Sequence, residues 1–157
     1  MASEDKQAND TMNAADVLLD IGLTTSCGDN IAILCDDASV TYNQLEAAAC
    51  RAAHAIRSFG VGPGDRVLIM ADDRPELFYA YLGAMKLGAV PIALNLRFSA
   101  TNLTFIMQDS GCRLFLADQQ FVDIVGQAMS ELASPPPLSV IDVSFPELMA
   151  DQTESIE

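Results

Sequence analysis

The stretch from Met85 to Arg97 limits what this chain can fold into more than any other. It reads as the last turn of a helix, a stop at Gly88, an apolar run from Ala89 to Leu94, and a polar exit at Asn95 and Arg97. Glycine takes the positive φ that ends a helix without a side-chain penalty. The apolar run shows no alternation, so a strand buried on both faces is expected, as in a parallel sheet covered by helices. Asn95 and Arg97 then follow the carboxyl end of that strand, where open α/β sheets bind ligands.

The rest of the chain repeats the pattern. Apolar strands are expected at Ile31–Cys35, Arg66–Ala71, Cys112–Ala117 and Leu138–Val143, with a short extended piece closing at Val40. Thr41 and Gln44 match a capping box, and Tyr42, Leu45, Ala49, Ala52, Ala53, Ile56 and Phe59 recur at helical spacing behind it. Pro75 suits the first turn of a helix with Leu77, Phe78, Tyr81, Leu82 and Met85 on its apolar face. Ser99 can cap a helix carrying Leu103, Ile106 and Met107, and Phe121 to Leu132 supplies another. A short helix is also expected at Ala14–Ile21, a loop over Gly22–Asn30, and one or two helical turns at Pro146–Ala150. Strand–helix alternation of this kind implies an α/β fold, a mostly parallel sheet with helices on both faces.

Gly62-Pro63-Gly64-Asp65 resembles a phosphate loop only in composition. It joins a helix to a following strand, the reverse of a phosphate loop, and Pro63-Gly64 suits the centre of a type II turn.

The chain has 157 residues, half of them hydrophobic, which is enough for a core. A net charge of −14, from 22 acidic and 8 basic residues, argues against nucleic acid as a partner. Much of the acid lies near the ends. Residues 1–13 and 151–157 are expected to be disordered acidic tails around an ordered 14–150. Cys27, Cys35, Cys50 and Cys112 form no C-x-x-C pair, and only His54, on the polar side of its helix, could join them, so no metal site is expected. Without an apolar leader at the amino terminus, reduced thiols and a cytoplasmic location are expected. Lys86, Gly88 and Pro91 interrupt the apolar stretch from Leu77 to Leu96, so no membrane span is expected.

Several of these elements, taken together in order, resemble the amino-terminal part of the adenylate-forming superfamily: acyl- and aryl-CoA synthetases, peptide-synthetase adenylation domains and luciferases. They are Val40-Thr41-Tyr42-Asn43-Gln44-Leu45; Gly60-Val61-Gly62-Pro63-Gly64-Asp65-Arg66-Val67; Met85-Lys86-Leu87-Gly88-Ala89-Val90-Pro91; Leu94-Asn95-Leu96-Arg97; and Asp109-Ser110-Gly111. The departures are Gln44 for glutamate, Ala93 where proline is frequent, and Leu96 for the proline between Asn and Arg. The resemblance implies that 14–150 is the amino-terminal subdomain of an AMP-binding synthetase, cut short of the rest. The implied chemistry is ATP-dependent: a carboxylate is adenylated with Mg²⁺ assistance, and CoA then displaces AMP. The Ser/Thr/Gly-rich loop ending in Pro-Lys, the Tyr-Gly-x-Thr-Glu segment, the ribose-binding Thr-Gly-Asp and the catalytic-lysine domain have no counterpart here. The chain alone is therefore expected to be inactive, to hold no cofactor and to contain no catalytic residue.

One site residue carries over. In some aryl-CoA ligases the arginine of the Asn-x-Arg exit contacts a CoA phosphate, and Arg97 stands in that place. The competing reading of Arg97 is a surface arginine paired with an acid. Asn95 is expected to shape the turn. The implied partner is the missing carboxy-terminal portion, or a second copy meeting an exposed apolar face. Two other functions remain open: a non-catalytic interaction module, and a receiver-like domain holding Mg²⁺ between Asp36-Asp37 and Asp72-Asp73.

Overall fold

The computed structural model describes residues 13–23, 27–36, 38–150 and 152–155. Of the expected tails, residues 1–12, 151, 156 and 157 lie outside the described residues, as do residues 24–26 of the expected loop and Asp37.

Four parallel strands form the main sheet in the order β4-β3-β5-β6: β3 Arg66–Met70, β4 Val90–Ala93, β5 Leu114–Ala117 and β6 Leu138–Val140. Successive strand residues face opposite sides. Val67, Ile69, Leu114 and Leu116 pack under α2 (Tyr42–Ser58), α3 (Pro75–Lys86) and α6 (Ser144–Ala150). Leu68, Met70, Phe115 and Ala117 pack under α4 (Ala100–Ser110) and α5 (Val122–Ser130). Helices cover both faces, as the pattern required.

Two expectations are corrected. The Ile31–Cys35 strand does not join the main sheet. As β1 it pairs antiparallel with β2 (Ala38–Thr41), and Asp36, at φ 48°, begins the turn between them. With so short a link between its strands, a hairpin is the natural pairing, because a parallel crossover needs about a dozen residues or more. This hairpin and α1 (Ala14–Leu23) close a small separate cluster of Leu19, Val40 and Leu45. The second correction concerns β4. It is an edge strand rather than a fully buried one, with Val90 47% exposed, and no described strand pairs with its outer side.

Local chemistry explains the boundaries. Thr41 Oγ1 accepts from Gln44 N and Gln44 Oε1 accepts from Thr41 N, closing the expected capping box at the start of α2. Ser99 and Asn102 do the same for α4. Gly88, at φ 70°, ends α3 with Ala89 N donating to Ala84 O and Gly88 N to Met85 O. Helices α2 and α3 approach very closely: a Cβ built on Gly83 would lie 2.8 Å from both Ala52 Cβ and Ala53 N.

The amino end of the sheet is tied by backbone bonds and one arginine. Arg66 donates from Nε to Ser110 O (2.6 Å), from Nη1 to Gly64 O (2.9 Å) and from Nη2 to Gly111 O (2.9 Å). Asp65 Oδ2 accepts from Gly62 N, Asp65 N donates to Gly62 O, and Gly64 has φ 79°, which is the type II turn expected there. The turn lies at the amino ends of the strands, away from the end where such sheets bind ligands.

Candidate functional site at the carboxyl end of the sheet

Three loops meet at the carboxyl ends of β3, β4 and β5. After β4 the chain turns at Asn95, whose Oδ1 accepts from Arg97 N at 2.9 Å while Phe98 N donates to its carbonyl. Asn95 therefore shapes the turn, in the manner expected of a short amide side chain. Arg97 is exposed, and among the described residues its guanidinium makes no ion pair or side-chain hydrogen bond. Ile69, Ala71, Asp73, Leu77, Leu94 and Arg97 help to line an open recess of about 320 Å³.

Behind this recess lies an ionic web that the sequence did not reveal. Asp118, just past β5, is nearly buried, with its side chain 3% exposed. Its Oδ2 accepts from Asp72 N at 2.8 Å and its Oδ1 from Arg74 Nη2. Glu76 and Asp142 stand 3.9 Å from the same guanidinium. Burial alone would lower the Arg74 pKa. The hydrogen bond and charge of Asp118, helped by Glu76 and Asp142, outweigh it and raise the value. Gln119 N donates to Asp142 Oδ1, and Gln120 Nε2 to Asp72 Oδ2. Asp72, Asp118 and Asp142 are thus occupied with protein donors.

Those bonds bear on magnesium and ATP. Both oxygens of Asp118 are taken, and one each of Asp72 and Asp142 by hydrogen bonds from the next loop. Among the described residues no group of three His, Cys, Asp or Glu could hold a metal ion. Among the described residues these acids therefore form no ready-made cage for Mg²⁺. The acid pairs of the receiver-like reading are not brought together on one sheet: Asp36 turns the β1–β2 hairpin, while Asp72 and Asp73 follow β3 of the main sheet. Arg97, by contrast, has the charge and the fork geometry for a phosphate.

A second ionic cluster, also missed, joins three helices. Lys86 has its side chain 5% exposed, with Nζ 2.7 Å from Glu46 Oε1 on α2 and 3.0 Å from Asp16 Oδ1 on α1. Cys50 Sγ donates to the same Glu46 oxygen, while Glu46 Oε2 is buried without a partner among the described residues. Desolvation favours a neutral Lys86, but its bonds to Glu46 and Asp16 prevail and raise its pKa. Burial pushes the Cys50 thiol up. Asn13 adds to the same junction, donating from Nδ2 to Met85 O and Lys86 O. Cys35, Cys50 and Cys112 are free thiols. His54 is partly buried, with Nε2 2.8 Å from Ser155 O and 2.9 Å from Thr153 Oγ1.

Comparison with known proteins gives one consistent answer. Residues 23–156 match the family described as AMP-binding enzyme. A 3-hydroxybenzoate–CoA/4-hydroxybenzoate–CoA ligase from Thauera aromatica is 44% identical over 138 residues, 88% of this chain and 26% of the relative. A 3-hydroxybenzoate–CoA ligase from Aromatoleum sp. (strain CIB) is 38% identical over 92% of this chain and 29% of its own length. The crystal structure of a benzoate CoA ligase from Burkholderia xenovorans LB400 superposes with a TM-score of 0.80 at 29% identity, over 90% of this chain and 29% of that one. An anthranilate CoA ligase in complex with anthranoyl-AMP shares the fold at TM-score 0.86 and 24% identity, over 93% of this chain and 28% of that one. The chain spans roughly a quarter to a third of the length of these relatives.

Proposed function

Because the chain belongs to the AMP-binding enzyme family, we propose that it is the amino-terminal part of an ATP-dependent acyl- or aryl-CoA ligase. Its role in that enzyme is to present Arg97 to a phosphate of CoA. The observation that carries this reading is an arginine left exposed, with no carboxylate partner among the described residues, in a chain of net charge −14. Acids outnumber bases by 22 to 8, so an available guanidinium at the carboxyl edge of a parallel sheet is best explained by an anion that comes and goes. ATP, Mg²⁺ and the adenylation step we assign to the part of the longer relatives that this chain does not span, since it covers 26% of one and 29% of another. The relatives named for hydroxybenzoates make aromatic carboxylates the first substrates to try. A cytoplasmic location suits free thiols and the CoA chemistry of the family. No described helix is long and apolar enough to cross a membrane.

The test has two arms. ATP–pyrophosphate exchange with benzoate and the hydroxybenzoates should show no activity from this chain alone, and measurable exchange overturns that expectation. Coenzyme A titrated into the ¹⁵N-labelled chain should shift the amides of Asn95 and Arg97. Arg97→Ala should abolish those shifts while changing stability by less than about 0.5 kcal/mol, as for other exposed side chains. Equal shifts in the variant would dismiss Arg97 as the phosphate contact.

A second reading, a non-catalytic association module, is favoured by apolar side chains around the hairpin. Ile31 and Leu34 of β1 and Phe78 of α3 are exposed, with Leu34 at 75%. The carboxy-terminal portion present in the longer relatives, or a second copy, would cover them. A monodisperse monomer with cooperative melting speaks for an autonomous module, and concentration-dependent mass speaks for a piece of a larger assembly.

A further inference from the structure

The loop from Asp72 to Arg74 stands between two depressions. Asp73 helps to line the 320 Å³ recess that carries Arg97. Asp73 and Arg74 also help to line a second recess of about 510 Å³, walled by Leu19, Ile33, Leu45 and Leu82. The loop is held from the neighbouring strand. Asp118 takes the amide of Asp72 on one oxygen and the guanidinium of Arg74 on the other, so both ends of the loop are gripped by one carboxylate.

We propose that Asp118 is a positioning residue for ligand binding: by gripping Asp72 and Arg74 it fixes Asp73 as the partition between the two recesses and sets the mouth through which a phosphate-bearing ligand reaches Arg97. The inference rests on the Arg97 reading above for its ligand, but not for its geometry. Taking a carboxylate out of water is expensive, and a turn needs no buried acid to close. The cost is offset here by two charge-assisted bonds that converge on three residues of loop. Arg74 is committed to the same task. Its Nη2 faces Asp118 with Glu76 and Asp142 beside it, which leaves it unsuited to an incoming anion and Arg97 as the cation at this mouth.

The experiment uses the ¹⁵N-labelled chain, the variants Asp118→Asn and Arg74→Gln, and Ile56→Val as a core variant on α2 that lowers stability without touching the loop. Asp118→Asn should displace the ligand-free amide signals of Asp73 and Arg97, and Arg74→Gln should displace them less because Asp118 keeps the Asp72 amide. Ile56→Val should leave them in place while lowering the melting temperature. If coenzyme A binds at Arg97, its affinity should fall about tenfold in Asp118→Asn and stay unchanged in Ile56→Val, since misplacing a positioned group by about 1 Å can cost more than that. Unmoved Asp73 and Arg97 signals in both loop variants overturn the proposal. So does failure of both to fold while Ile56→Val folds, which would leave Asp118 a support of the fold alone. If coenzyme A leaves the wild-type Arg97 signal untouched, the Arg97 reading fails, and the ligand-free signals still decide the role of Asp118.

Discussion

Lys86 shows how one residue can carry a junction. Its ammonium is nearly buried and serves carboxylates from two other helices. Lys86→Met removes that cation and leaves Glu46, one of whose oxygens is already buried without a described partner, beside an apolar side chain. The expected loss is about 2 kcal/mol in urea unfolding, less than for a fully buried pair because Glu46 and Asp16 reach water. Pairing it with Glu46→Leu should recover at least half of that loss. The alkaline limb of stability follows from the same groups. Both Cys50 and Lys86 have folded values raised above their ordinary 9.0 and 10.5. Their contribution is intact below those values and is lost as pH climbs through the higher folded ones. Melting temperature should start to fall above about pH 9, and Cys50→Ala should remove only part of the earlier fall, because burial pushes the Cys112 thiol up as well. None of this is legible in the sequence. Lys86 and Glu46 are far apart along the chain, as are Arg74 and Asp118, and a charge reads as solvated until the fold brings its partner to it. The role of Asn95 is legible, because its bond to Arg97 N is local.

At the level of elements, local signals and apolar runs differ in what they can tell. The capping boxes at Thr41 and Ser99 and the stop at Gly88 are readable because each is settled within a few residues. Thr41→Ala should cost about 1 kcal/mol, measured by thermal or urea unfolding. The close approach of α2 and α3 is not readable, since the alanines of α2 announce helix but not the neighbour they admit. Gly83→Ala places a methyl group against Ala52 Cβ and the Ala53 backbone nitrogen, neither of which can swing away. An overpacking loss of about 2–3 kcal/mol is expected in the same assay, large for the addition of a single carbon. The apolar run at β4 misleads for a different reason. A strand buried by its own chain and a strand awaiting cover from elsewhere have the same composition, and exposed Val90 marks an edge in this chain. The hairpin escapes detection as a pairing because its first strand carries the apolar run of a buried parallel strand, although it is solvent-facing at Ile31 and Leu34.

For the molecule as a whole, the alternation of strands and helices is enough to imply a layered α/β fold, and the motif order is enough to imply the family. The ligand end expected at Asn95 and Arg97 has a recess beside it, while the walls of that recess and the buried acid behind them need three dimensions. Leu34→Asp addresses the exposed apolar side chains directly: it should change stability by less than about 0.5 kcal/mol and abolish any concentration dependence of the solution mass. The clamp made by Arg66 has a consequence of its own. It fastens one rim of the sheet through three carbonyl oxygens, two of them on glycines at positive φ, so that rim depends on the backbone path those glycines allow rather than on the side chains around it.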